Sequence, residues 1–401
     1  MEKAILVLNA GSSSIKFSIY SSAKGDTTLD LVYRGHIEGI GQQTRFVVEC
    51  TPGHAVETRV IDEGVLHAGH EQALEALLDW MQKQVRGLDF FAVGHRVVHG
   101  GDTFSEAVIV DDDVFAQLEA LVPLAPLHQP HSLAAISAFK SIAPEVPQIA
   151  CFDTSFHRTM PAVAQSFALP RSFRTEGIRP YGFHGLSYEY IAGVLPGYTQ
   201  SAADGPVIVA HLGHGASLCA MLGRRSVATT MTFTPLEGLP MATRCGTLDP
   251  GVLLYLMTEK GMSVDEVTDL LHHRSGLLGL SGISGDMRAL LASKDPHAAE
   301  AIDYFVYRVV REVGSLAAAA SGLDMLVFTG GIGEHSSMIR KRICHQLNWL
   351  GVQIDPTENA AGNPEISKKG SPVSVWTIPT NEELVIAQQA YAITQQKSDL
   401  K

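Results

Sequence analysis

Several short turns in this 401-residue chain carry the residue types that grip phosphate. The first is Asn9-Ala10-Gly11-Ser12-Ser13-Ser14. It separates an apolar run, residues 5–8, from a run in which Ile15, Phe17 and Ile19 alternate with Lys16 and Ser18. Gly11 permits a tight turn and close ligand approach. The serine hydroxyls are donors, the turn amides can form an anion nest, and Lys16 adds a cation. Strand, polar turn and strand with lysine reads either as a phosphate clamp or as an ordinary hairpin. It is not a Walker loop, because GxxxxGK[ST] is missing and a strand follows in place of a helix. A second glycine turn, TGGIGEH over residues 329–335, follows an apolar strand and precedes a predicted helix, which suits a nucleotide at a helix N-terminus.

The elements that must position these turns fall into two similar runs. From Pro206, PVIVAHLGHGASLCAM repeats the opening pattern, with Gly213 in the place of Gly11 and His211 in that of Asn9. The repeat lies about half a chain away and predicts an internal duplication. Two such hairpins could hold a nucleotide from both sides. Residues 29–61 continue the opening sheet. Residues 70–86 place Ala73, Leu74, Leu77, Leu78, Met81 and Val85 on one helical face, with Gly87 as the stop. A short strand at 90–93 delivers GHRVVHGGD. The acids at 111–113 cap a helix. PLAPLHQPH, residues 123–131, is predicted as a proline-broken loop, and residues 147–152 as a strand running into DTSFH. RPYGFHGLS leads into a helix. Residues 231–251 form an irregular loop with Arg244 as the single basic residue, and the Gly/Ser-rich residues 275–288 precede a helix. Residues 301–320 predict a long buried helix, and Thr380 with Glu383 a capping box for a last helix.

Composition narrows the partners. Hydrophobic residues make up 45% and charged ones 18%, enough for a sizeable core, and the length suits two domains. No apolar run reaches membrane-spanning length and no signal peptide is evident, so no membrane association and a cytoplasmic location are expected. The five cysteines form no CxxC pair and read as free thiols. A net charge of −12 without a basic stripe argues against nucleic acid.

Ten segments in order, LNAGSSSIKF, GHRVVHGG, PLAPLHQPH, FDTSFH, YGFHGLS, AHLGHGAS, TPLEGLPMATR, SGLLGLSG, FTGGIGE and IPTNEE, resemble the acetokinase family of short-chain carboxylate kinases. That family belongs to the superfamily of sugar kinases and actin. The resemblance covers nearly the whole chain. It implies an α/β fold of two duplicated actin-like (ribonuclease H-like) domains with the active site in the cleft between them. Its expected boundaries are 1–152 completed by a C-terminal helix at 384–401, and 153–383 for the nucleotide-binding domain. It also implies a homodimer.

The implied reaction joins ATP and acetate to give acetyl phosphate and ADP. Both reactants are anions, so positioning and charge stabilisation dominate. By the resemblance, Arg96 grips the acetate carboxylate and the phosphoryl group, while Arg244 and His184 stabilise charge in flight. Asp153 completes the catalytic set. A carboxylate nucleophile has no proton to lose, so Asp153 is expected to orient arginine or magnesium waters. Val98, Leu127, Phe183 and Pro235 would shape an acyl pocket; as plain core residues they would need no such role. Lys16, Ser12 and Ser14 would face the phosphates. His211, Leu212, Gly213, His214 and Gly215, then Asp286, Met287 and Arg288, then Gly330, Gly331, Ile332, Gly333 and Glu334, would bind the nucleotide. Asn9 and Glu382 would associate with Mg2+, or with Mn2+ in its place.

The chain departs from the family pattern at His214 (usually Asn), at Ala242, Cys245 and Thr247 (usually Gly, Ser and Asp), and at His335 (usually Asn). Three other readings compete. His128 and His131 form an HxxH, which suggests a metallohydrolase, although Pro130 disfavours the helical geometry such a site needs. An actin-like scaffold shares the fold. Propionate or butyrate could replace acetate as acceptor.

Overall fold

The computed structural model describes residues 2–11, 14–22, 28–40, 44–50, 57–60, 70–85, 88–199 and 202–399. The chain forms two compact units, Met1–Ser155 with Asn381–Lys401, and Phe156–Thr380.

The first unit is built on strands β1 (Glu2–Ala10), β2 (Ser14–Ser22), β3 (Asp30–Glu38), β4 (Arg45–Cys50), β5 (Glu57–Val60), β6 (Leu88–Val97), β7 (Val108–Ile109) and β8 (Gln148–Phe152). Their order across the sheet is β5-β4-β3-β2-β1-β6-β8-β7. β1 runs antiparallel to β2 and parallel to β6, and β6 is parallel to β8. Alternate residues of a strand face opposite ways. Val93 therefore joins the core under helices His70–Gln84 and Gln129–Ile142, where Leu74, Leu77, Trp80, Ala135 and Phe139 are buried. Its neighbour Gly94 faces the last helix, Glu382–Asp399; a Cβ there would stand 2.5 Å from Ile386 Cγ2.

The second unit holds β9 (Val207–Leu212), β10 (Ala216–Leu222), β11 (Arg225–Thr229), β12 (Met325–Thr329) and β13 (Ser374–Thr377), in the order β11-β10-β9-β12-β13. Directions match those of β3-β2-β1-β6-β8: three antiparallel strands, then two parallel ones. The duplication expected from the sequence is thus present in the topology. Asn9 pairs with Lys16, and His211 pairs with Ser217. The connecting turn is one residue shorter in the second unit, so Ser217 takes the place that Lys16 has in the first. Helix Gly185–Tyr198 packs Tyr188, Ile191 and Leu195 against Val207, Val209, Cys219 and Val327.

Several local expectations change. The strand at 90–93 runs on to Val97 and so carries His95 and Arg96 within the sheet. The helix from His70 ends at Gln84, and Arg86 and Gly87 lie outside the described residues. PLAPLHQPH is not a loop to its end: a helix starts at Gln129, with Pro130 in its first turn, where the missing N–H has no helical partner to lose. Residues 275–288 contain a short helix, Gly276–Ser281, and the glycine turn after β12 itself coils into Gly330–His335. The long helix, Pro296–Ala319, is amphipathic, with Ala301, Phe305, Val309 and Val313 buried while Tyr307 is exposed. The expected capping box is replaced. Asn381 Oδ1 accepts from Leu384 N at 3.0 Å, as asparagine does well at an N-cap, and Thr380 Oγ1 accepts from Ser187.

Candidate active site

In the first unit, β6 and β8 lie side by side and place Arg96 near Asp153, which follows the end of β8. Arg96 Nε donates to both Asp153 oxygens at 3.1 Å, and Nη2 donates to Oδ2 at 2.5 Å. Nη1 reaches Asn9 Oδ1, at the end of β1, at 3.4 Å. The Asp153 side chain is 2% exposed and that of Arg96 23%, so the fork is sheltered from water. Burial pulls the Arg96 pKa down, but Asp153 and Glu382 hold it above its ordinary value. Glu382, at the start of the last helix, is pushed up to about 7. Burial is the main cause, Arg96 opposes it, Asp153 and Glu383 reinforce it, and Lys16 opposes it weakly. Asn9, Arg96, Asp153 and Glu382 thus share one neighbourhood, with exposed Lys16 within its field.

The turn beside them is closed by Gly11 N donating to Ser14 O at 2.8 Å. Ser12 lies outside the described residues. His70 Nε2 donates to Gly11 O at 2.6 Å, and its ring stacks on that of His131. Val98 is half-buried after β6, whereas Leu127 is exposed.

In the second unit, His184 begins the helix Gly185–Tyr198 with a left-handed backbone, φ 59 and ψ 24. Such a conformation costs a non-glycine residue about 1–3 kcal/mol. His184 Nδ1 lies 2.8 Å from Ser217 Oγ, which meets Tyr188 OH at 2.5 Å. The His184 ring stacks on His211 with centroids 4.4 Å apart, and His211 Nδ1 is 2.8 Å from Ser187 Oγ. Arg244 donates from Nη1 to Pro235 O at 2.7 Å. Its Nη2 and His184 Nε2 converge over Gly215, where a Cβ would stand 2.9 Å and 3.1 Å from them. A guanidinium nitrogen and an imidazole nitrogen therefore lie close to one place beside Gly215. Phe183 and Pro235 are buried beside this cluster.

The glycine turn after β9 is closed by Gly213 N donating to Gly215 O at 2.9 Å, and Leu212 is buried beneath it. His214 is exposed, and partial desolvation together with the Arg244 charge lowers its pKa from the ordinary histidine value. In the second glycine turn, Gly330 has φ 76, and a Cβ there would approach Leu212 O to 2.8 Å. Glu334 folds its carboxylate back, accepting from Gly330 N at 2.8 Å and Thr380 N at 3.3 Å. Gly331 is exposed, Ile332 half-buried and Gly333 buried. Asp286 caps the helix Met287–Ala292 and pairs with Arg288, which holds the carboxyl down at about 2. Met287 is turned into the core.

The departures from the family pattern find local partners. Cys245 Sγ meets Gly246 O at 3.1 Å, Thr247 Oγ1 donates to Gly238 O at 3.2 Å, and Ala242 is buried. Several participants escaped the sequence reading. Ser217 and Tyr188 lie in or next to quoted motifs but show their use only when β10 and the helix meet. Arg340 is fully buried and donates to the carbonyls of Gly333 and Glu334 at 2.9 and 2.7 Å, which steadies the glycine turn. Nothing in its surrounding sequence signals that role.

Comparison with known proteins places these residues in context. The Acetokinase family model matches residues 4–388. An acetate kinase of Rhodopseudomonas palustris is 54% identical over 396 residues, covering 98% of this chain and 99% of that protein. The crystal structure of a propionate kinase from Francisella tularensis superposes with a TM-score of 0.89 at 37% identity, covering 97% of this chain and 99% of that one. The Porphyromonas gingivalis acetate kinase superposes at 0.85 with 35% identity, covering 98% and 100%.

Proposed function

This chain belongs to the acetokinase family, and from that premise we propose that it transfers the γ-phosphoryl group of ATP reversibly to acetate, giving acetyl phosphate and ADP. It has the duplicated actin-like, two-domain α/β fold of its relatives. The convergence of His184 Nε2 and Arg244 Nη2 over Gly215 is the observation that carries the reading furthest. Donors fixed in advance around one point suit the equatorial oxygens of a phosphoryl group in flight.

The roles follow from the chemistry of the groups. Arg96 grips the acetate carboxylate with its planar fork. Asp153 orients that fork and takes no proton, since the nucleophile is already a carboxylate. Val98, Leu127, Phe183 and Pro235 border the acyl methyl. Lys16 and Ser14 face phosphate oxygens, and Ser12 has the same role by the family pattern. The turns His211–Gly215 and Gly330–Glu334, with Asp286, Met287 and Arg288, hold the nucleotide; the Glu334 carboxylate acts by shaping its turn. Asn9 and Glu382 would hold Mg2+, for which Mn2+ could substitute. Their donor set, an amide oxygen beside Arg96 and a carboxylate in the same neighbourhood, is of the hard oxygen kind that Mg2+ takes. Few protein oxygens suffice when waters and phosphates complete the shell. The cation would neutralise charge on the phosphates. The reading also takes the enzyme to be a cytoplasmic homodimer, in line with free thiols at Cys151, Cys219, Cys245 and Cys344.

The similarity to a propionate kinase keeps propionate as a second acceptor. One methylene changes discrimination by only about 1–3 kcal/mol. ADP release and hydroxylamine trapping of acyl phosphate should be measured with formate, acetate, propionate and butyrate. Acetate is expected to give the highest kcat/KM. A higher value for propionate would reassign the acceptor, and absence of acyl phosphate from all four acids would sink the proposal.

A further inference from the structure

The DTSFH segment ends in a histidine that the chemistry above does not use. His157 is 1% exposed and sits in the second unit. Its Nε2 lies 2.9 Å from the carbonyl oxygen of Phe183, the residue before His184, and its Nδ1 lies 2.8 Å from Ser226 Oγ. Cys219 Sγ is 3.4 Å from the same hydroxyl. All three side chains are buried.

We propose that His157 is a positioning residue: held by Ser226 and Cys219, it pins the Phe183–His184 peptide so that His184 keeps its left-handed backbone and presents its ring beside Arg244.

The direction of every bond in this relay follows from one fact. A carbonyl oxygen only accepts, so His157 Nε2 must carry the proton. A neutral ring with Nε2–H has an acceptor at Nδ1, so Ser226 Oγ must donate to it. Ser226 can then accept the Cys219 thiol proton. Burial pulls the His157 pKa down to about 4, which keeps the ring neutral at ordinary pH.

The geometry shows what the relay restrains. Gly182, with φ 88, lies so close to the His157 ring that a Cβ there would stand 2.4 Å from its Cγ. Tyr181 N and Gly182 N both donate to Thr232 O, at 2.9 and 3.1 Å. The backbone is thus fixed on one side by Thr232 and on the other by His157, immediately before the residue with φ 59. A strained conformation persists only where its surroundings over-determine it. The His157 ring also meets Tyr188 edge-on, at 5.6 Å between centroids, and Tyr188 OH reaches His184 Nδ1 through Ser217. The backbone and the ring of His184 are therefore tethered by two groups that pack on each other. His157 acts through His184 and does not touch substrate.

The test rests on the phosphotransfer reading and is arranged to separate the two. His157→Leu removes the donor, and His157→Gln restores an N–H at similar reach. With folding checked by thermal melting, His157→Leu should lower kcat about 10-fold or more while acetate and ATP KM move less than about 3-fold, and His157→Gln should recover most of the loss. In a His184→Ala background, His157→Leu should cost less than about 2-fold further, because residues acting as one unit are not additive. A full additional loss there, or a loss confined to KM, overturns the proposal. If the Leu variant does not fold, Ser226→Ala takes its place in the same cycle, with the same outcomes. Should the wild-type protein form no acyl phosphate, nitrogen-15 NMR of its histidines still decides the inference: Nε2–H on His157 supports it, and Nδ1–H overturns it.

Discussion

Arg96 and Arg244, the two arginines of the proposed reaction, are held in opposite ways. Arg96 is locked in a nearly buried fork with Asp153. Removing it would strand a buried carboxylate, so Arg96→Ala mixes lost chemistry with lost stability. Arg244 donates to a carbonyl, Pro235 O, in place of a buried carboxylate, and its other terminal nitrogen lies close to Gly215. Its loss should therefore read out as chemistry. Arg244→Ala is expected to lower kcat by about 10²–10³-fold, the usual consequence of removing one transition-state donor. The acetate KM should change less, and the melting temperature little. A loss expressed mainly in KM would make Arg244 a ground-state binder.

At the scale of elements, glycines decide which helix can lie on which strand. Gly94 on β6 admits the last helix, and any side chain there meets Ile386. Gly94→Val should destabilise the protein by about 1–3 kcal/mol through overpacking, read as a lower urea midpoint. Gly193 gives the control. It sits in the helix Gly185–Tyr198, where an added Cβ would meet no neighbouring element within 4 Å, so Gly193→Ala should be neutral or stabilising. An unchanged midpoint for Gly94→Val would mean that the helix shifts freely on the sheet. These glycines also mark how far the sequence could be read. The two hairpins and their repeat were legible, because alternation, an apolar run and a glycine turn are local signals. The helix start at Gln129 was masked by Pro130, which is equally at home in a loop and in a first helical turn. At the last helix, Thr380 competed with Asn381 for the cap, and propensity does not separate such neighbours. The grouping of Asn9, Arg96, Asp153 and Glu382 was beyond periodicity altogether, since it exists only when β1, β6, β8 and the last helix assemble. Family resemblance supplied those four. His157 lay within a quoted segment, DTSFH, but no role could be read for it there, because its partners Ser226 and Phe183 come from separate parts of the fold.

For the molecule as a whole, buried histidines set a limit on acid stability. His95 and His157 are both held near 4 by burial, well below the ordinary 6.5. Between those values the unfolded chain binds protons that the folded chain refuses. Their contribution is complete above about pH 6.5 and is lost as pH falls towards 4, by at most about 3 kcal/mol each. The urea midpoint should drop from pH 7 to pH 5, and His157→Gln should show a shallower drop than wild type. Equal slopes would show that His157 is readily protonated in the fold. The last helix, finally, ties the order of synthesis to the order of completion. The second unit is one continuous stretch, Phe156–Thr380, whereas the first needs Asn381–Lys401. On a ribosome, the half of the protein made first waits longest for its missing piece. Until residues 382–399 have been made and leave the exit tunnel, the sheet face around Gly94 has no helix to cover it, and the later-made unit has every residue it needs to fold ahead of the earlier one.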